Sequence, residues 1–142
     1  MSPEQNKERM RRAFDEFINN KNLTTVSEYV APNYVGHFTG GAPPVQGVEG
    51  FKQYLSTWNA AVPDSRVTVD DVIAEGDRVA VRVTFRGTHT GPLLNIPPTG
   101  KPITISGINF FRIVDGKAVE QWANTDDLGM MQQIGLIPAP GA

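Results

Sequence analysis

The chain has 142 residues, 39% of them hydrophobic and 20% charged, with a formal net charge of −2. That is enough for one domain with a real core, and the composition is that of a folded chain rather than a disordered one. The charge balance gives no reason to expect nucleic acid or an anionic membrane surface as partner. Zero cysteines exclude disulfides, thiolate nucleophiles and zinc–thiolate sites, and two histidines, His37 and His89, argue against a dedicated metal site. No run approaches the roughly 20 apolar residues of a membrane span, and Met-Ser-Pro-Glu-Gln-Asn-Lys has no secretory core, so a cytoplasmic protein is expected.

Ser2-Pro3-Glu4-Gln5 reads as a helix start, with a Ser N-cap, Pro at N1 and Gln5 three residues after the cap. Met10, Ala13, Phe14 and Phe17 then form an apolar stripe at helical spacing. Asn19 to Asn22 breaks this helix, and Thr24 to Val30 predicts a short second one, ended before Pro32. Tyr34 to Phe38 reads as an extended or turn segment, and Thr39 to Pro44 as loop. A third helix is expected from about Val48 to Ala61, with Phe51, Tyr54, Leu55 and Trp58 on one face and Pro63 as its stop.

From Ser65 the period changes to two. Val67 and Val69 alternate with polar residues up to a tight turn at Glu75-Gly76-Asp77. Val79, Val81, Val83 and Phe85 mark the clearest strand, with Arg82, Thr84 and Arg86 on its other face. Gly91 to Lys101 is a long irregular connection. Ile103 to Ile113 carries Ile103, Ile105, Gly107, Asn109, Phe111 and Ile113 on one parity, and Gly107 reads as a bulge because Ile108 and Phe110 are also apolar. Asp115-Gly116 turns the chain into a last strand through Thr125, followed by a short helix from Gly129 to Gly135 and a tail over 136–142. Three helices followed by four antiparallel strands predict one α+β domain. The helices would cover a curved sheet and leave a pocket between the two layers.

On the last strand, Trp122, Asn124 and Asp126 share a parity, so an inward Trp122 would bring Asp126 into that pocket. A carboxylate desolvated among apolar walls is an acid–base candidate, and Asp127 is then assigned to capping the following helix. His89 lies beyond an apolar strand parity, where it could bond a carboxylate or a substrate oxygen; the alternative is a strand-end histidine satisfied by backbone or water. His37 could close the pocket mouth or pack beneath the Gly40-Gly41 loop. Asn109 needs a polar partner or faces the cavity, and Phe14, Trp58, Phe111 and Trp122 are wall candidates. No phosphate-binding glycine loop, dinucleotide fingerprint or nucleophile elbow is present. What remains suits cofactor-free proton transfer.

In this order and spacing several segments resemble the SnoaL-like polyketide (ester) cyclases of the nuclear transport factor 2-like superfamily. They are Phe111-Arg112-Ile113-Val114-Asp115-Gly116-Lys117, Glu120-x-Trp122, Asp126-x-x-Gly129 and Gln133-x-Gly135, with Tyr34-Val35-Gly36-His37 and Gly87-Thr88-His89-Thr90-Gly91 upstream. The resemblance implies a cone-shaped α+β barrel, usually a homodimer or tetramer formed through the open sheet, and no metal or organic cofactor. It also implies an aspartate ahead of the last helix, here Asp126, as acid/base in an intramolecular aldol closure of a hydrophobic carbonyl substrate. His37 and His89 match family positions and become pocket polar groups, His89 orienting the acid/base with Asn124. The alternatives are a non-catalytic small-molecule binding protein, a ketosteroid-isomerase-like enzyme needing a tyrosine at the pocket, or an epoxide hydrolase. The last is disfavoured because Arg82, Arg86 and Arg112 fall opposite the apolar parity.

Overall fold

The structure is a computed structural model, and it describes residues 1–141; the final residue of the predicted tail lies outside them. Helix α1 (Pro3–Ala13) opens on a capping box in which Ser2 and Gln5 satisfy each other's backbone N–H groups. It runs into a π-helical turn over Phe14–Asn19, closed by the Asn20 N–H on the Asp15 carbonyl at 2.9 Å. The wider turn brings Phe14, Phe17 and Ile18 together onto the side that faces the sheet. Helix α2 is short (Val26–Tyr29) and α3 long (Gly47–Ala61), and both lie on the same side as α1.

Six strands make one curved α+β sheet in the order β2-β1-β6-β5-β4-β3. They are β1 (Val30–Phe38), β2 (Val45–Gln46), β3 (Arg66–Glu75), β4 (Arg78–Thr88), β5 (Pro102–Val114) and β6 (Lys117–Thr125), and α4 (Asp127–Gln133) follows. The sheet does not close into the cone-shaped barrel that the resemblance implied: β2 and β3 remain edges. Nor is it wholly antiparallel, because β1 pairs with β6 in parallel, His37 beside Trp122 and Phe38 beside Ala123. The segment around Tyr34, read from the sequence as an extended or turn segment, is therefore part of a full strand. Gly107 is no bulge either. Pairing is continuous through Val83, Gly107 and Thr125, and the shift in the β5–β6 register falls between Arg112 and Ile113, where β6 carries Val119 as an extra residue.

The main core joins the helices to the concave face through Met10, Phe14, Phe17, Val26, Tyr34, Phe51, Leu55, Val79, Val81, Phe111 and Ile113. A second cluster, with Ala61, Val62, Leu93, Ile103, Met130 and Ile134, ties the 89–101 connection and α4 to the end of α3. Among the described residues no helix is long and apolar enough to cross a membrane.

Candidate active site

Between the concave face and the helices lies a cavity of about 160 Å³, walled by Phe14, Phe17, Phe51, Trp58, Phe85 and Phe111 and carrying a few polar groups. An engineered apolar cavity of similar size, about 150 Å³, holds a benzene, so the space encloses roughly one aromatic ring. Phe14 and Phe111 meet edge to face at 6.5 Å, and Trp58 does the same with Phe85 at 5.9 Å. These edge-to-face contacts pack the walls against one another.

Cross-strand register decides which side of β6 looks inward. Phe111 pairs with Gln121 and Asn109 with Ala123, and directly paired residues share a face. Gln121, Ala123 and Thr125 therefore join Asn109 and Phe111 at the cavity, together with Asp127. This corrects the expectation built on Trp122. That ring lies on the outer face, stacked on His37 at 5.6 Å and edge-on to Phe110 at 5.9 Å, and Asn124 is exposed beside it.

The two aspartates exchange the positions expected of them. Asp126 is exposed, and its Oδ1 accepts from the Gly129 N–H at 2.9 Å as the N-cap of α4. A Cβ at position 129 would run into the Asp126 carboxyl group, so the Asp-x-x-Gly spacing has a structural cause. Asp127 is half-buried and is the one carboxylate on the cavity wall among the described residues. Its Oδ1 accepts from the Thr125 hydroxyl at 2.8 Å, and that hydroxyl also meets Thr39 Oγ1 at 3.0 Å. Tyr54, on the same wall, is pushed up to about 12 by burial, with the Asp127 charge adding to the effect, so it stays a neutral phenol.

Deeper in the cavity three buried polar side chains form a chain. The Tyr34 hydroxyl bonds Gln121 Oε1 at 2.6 Å, and Gln121 Nε2 donates to Asn109 Oδ1 at 2.8 Å. Burial raises the Tyr34 phenol well above its ordinary range, so it too stays protonated. Gly36 makes the arrangement possible: a Cβ there would overlap the Tyr34 hydroxyl and come within 2.7 Å of the Phe38 ring. Sequence reasoning missed Tyr34 and Gln121. The available signal was a glycine two residues after a tyrosine on one strand face, and a glutamine on the parity of Asn109.

Neither histidine is at the cavity. His89 is 1% exposed within the 89–101 connection, its Nδ1 3.0 Å from Thr99 Oγ1 and 3.4 Å from the Thr99 backbone N–H. Its backbone bonds to Lys101 O and from Gly100 N, so its visible work is to hold that connection together. His37 sits on the outer face, where its Nε2 meets Glu120 Oε2 at 2.8 Å. The His37 hydrogen bond, backed by Arg112, holds the Glu120 carboxyl below the usual carboxylate range. Among the described residues no three His, Cys, Asp or Glu side chains converge as a metal site would require.

A family profile described as SnoaL-like polyketide cyclase matches residues 8–134. The nogalonic acid methyl ester cyclase of Streptomyces nogalater is 29% identical over 112 residues, covering 78% of this chain and 83% of that protein. A candidate SnoaL-like polyketide cyclase from Jannaschia sp. CCS1 superposes with a TM-score of 0.87 at 29% identity, over 97% of this chain and 98% of that one. IdmH, a candidate polyketide cyclase from Streptomyces antibioticus, has a TM-score of 0.80 at 33% identity, covering 92% and 99%. Because that profile spans residues 8–134 of the 142, this chain belongs to the SnoaL-like polyketide cyclase family.

Proposed function

We propose that this protein is a cofactor-independent cyclase that closes a ring by intramolecular aldol addition on a hydrophobic carbonyl substrate, with Asp127 as its acid/base. The observation that carries this reading is that Asp127 is the single carboxylate, among the described residues, on a largely aromatic cavity wall that also carries a few neutral polar groups. Asp127 removes a proton next to one carbonyl. The resulting enolate carbon bonds to a second carbonyl carbon of the same molecule, and the alkoxide formed there takes the proton back from the Asp127 carboxyl. Protons and charge balance without an added group, which is why no cofactor enters the reading. Phe14, Trp58, Phe111 and Asn109 hold the reacting end, and a cavity of about 160 Å³ implies that the rest of a multi-ring substrate projects through the mouth. A cytoplasmic site of action belongs to the same reading.

Aklanonic acid methyl ester, named for relatives at 29% identity, is the first substrate to test. Ring-closed product formed by the purified protein supports the proposal; an unchanged ester across a panel of aromatic polyketide methyl esters removes it. The second reading, a binding protein without chemistry, draws on the place of Asp127, half-buried and bonded to Thr125 rather than fully desolvated. Ligand binding without turnover would select it. The epoxide hydrolase reading is weaker, because among the described residues no arginine is on the cavity wall, and Arg82 and Arg112 pair with Asp71 and Glu120 on the outside.

The partner on the outer face is proposed to be a second copy. Strand pairing lines up Ile73, Ala80, Phe110, Trp122 and His37 in one row across five strands, with Ile73 69% and Phe110 39% exposed. Single-sign patches do not border the row: Arg82 lies beside Asp71 and Arg112 beside Glu120, so the same surface can meet itself about a two-fold axis. Sedimentation should give a dimer that Phe110→Lys converts to monomer; a monomeric wild type ends this part of the reading.

A further inference from the structure

The Tyr34–Gln121–Asn109 chain has a direction, and the direction sets what the cavity can recognise. Tyr34 is 1% exposed, Gln121 5% and Asn109 8%, so none of the three can turn to bulk water for a missing partner. A phenol has one hydrogen to donate, and the only acceptor within reach of Tyr34 among the described residues is Gln121. If the Gln121 amide were reversed, its Nε2 would face the phenol oxygen and the Tyr34 hydrogen would be buried without an acceptor. An orphaned buried donor is far costlier than a formed bond is favourable. Gln121 Oε1 therefore points at Tyr34, which leaves Nε2 to donate to Asn109 Oδ1.

That fixes the third amide as well. Asn109 spends its oxygen on Gln121, and its Nδ2 has no acceptor among the described residues while the side chain lines the cavity. Nδ2 is also absent from the fully enclosed polar atoms without partners, which are only Asn6 Oδ1 and His89 Nε2 among the described residues. It borders the cavity space.

We propose that Tyr34 and Gln121 act as positioning residues that lock Asn109 as a hydrogen-bond donor into the cavity, so that the site selects aromatic ligands bearing a carbonyl or enolate oxygen at that end. This deepens the proposed function and rests on its placing of the substrate in this cavity. It adds the polarity of the recognition and the residues that impose it. Asn109 binds the oxygen; Gln121 and Tyr34 act through it.

The test uses an isosteric pair of inert one-ring probes, acetophenone and α-methylstyrene, in which C=CH₂ replaces C=O. Dissociation constants are measured by NMR titration against the intact protein. The wild type should bind acetophenone roughly 3- to 10-fold more tightly, the range one neutral hydrogen bond supplies. In Gln121→Glu the carboxylate cannot donate, so Asn109 must turn Nδ2 toward it and present Oδ1 to the cavity. The preference should then fall to unity or invert. Tyr34→Phe removes the lock without introducing a charge and should bring the ratio toward unity, which keeps the test alive if Gln121→Glu does not fold.

Equal affinities in the wild type, no binding of either probe, or a preference unchanged in the folded variants would each overturn the inference. Its failure is separable from that of the function. A protein with the preference that closes no ring keeps this inference and loses the cyclase reading. One that closes rings without the preference does the reverse.

Discussion

Asp127→Asn is expected to lower turnover of an aromatic polyketide methyl ester by roughly 10²- to 10⁴-fold, the contribution typical of a positioned general acid–base group. The substitution is isosteric, and the amide oxygen can still accept from the Thr125 hydroxyl that meets Asp127 Oδ1 at 2.8 Å. Fold and cavity shape are therefore retained while the base is lost, so the loss should fall in kcat with little change in KM. Asp126→Asn is the matched control. Asparagine caps helices about as well as aspartate, and Asp126 accepts from Gly129 outside the cavity. Its turnover should stay within a few-fold of wild type.

The largest stability effect is expected at Gly91. A Cβ there would overlap the backbone carbonyl oxygen of Ala60, and it would lie 2.9 Å from that carbonyl carbon. The obstacle is helix backbone, which cannot step aside as a flexible side chain could. The Gly91 N–H also donates to Ala61 O at 3.0 Å, fastening the start of the 89–101 connection to the end of α3. Gly91→Ala must separate the two, and a cost of about 2–3 kcal/mol, near the upper end for overpacking, is expected. For a domain of this size that corresponds to a melting point lower by roughly 10 °C, which a thermal scan by circular dichroism would read. An unchanged melting point would show that the connection can lift off α3 freely.

Periodicity made most of the architecture legible. Strand β5 alternates buried and exposed from Ile103 to Ile113 as its apolar parity required, and Ser2, Pro3 and Gln5 marked the first helix start. Strand β1 was not legible, since Pro32 and Gly36 interrupt the strand pattern and its partner, β6, is some eighty residues away in parallel register. Sheet closure was not legible either, because it depends on whether the edge strands find partners, and a two-residue β2 leaves its edge free.

The site was read with the right strand and the wrong side. Trp122 reads as a wall residue in the sequence, yet on the outer face His37 and Phe110 cover it, and the inward parity is carried by the smaller Ala123 and Thr125 and by Gln121. Two residues of one parity cannot reveal their face alone. The pairing with Asn109 and Phe111 does so, and that information sits on another strand. His89 misled for a related reason: its strand parity ends at Thr88, and the loop that follows turns the ring onto Thr99.

The central claim is that Asp127 takes a proton from a carbon next to a carbonyl bound in the cavity. Deuterium exchange tests this without knowledge of the native substrate. Ethyl benzoylacetate, a one-ring β-keto ester, is incubated in buffered D₂O, and loss of its α-proton NMR signal is followed above the spontaneous background. Wild type and Asp126→Asn should accelerate the exchange, and Asp127→Asn should leave only the background rate. Acceleration that survives in Asp127→Asn and disappears in Asp126→Asn would contradict the account.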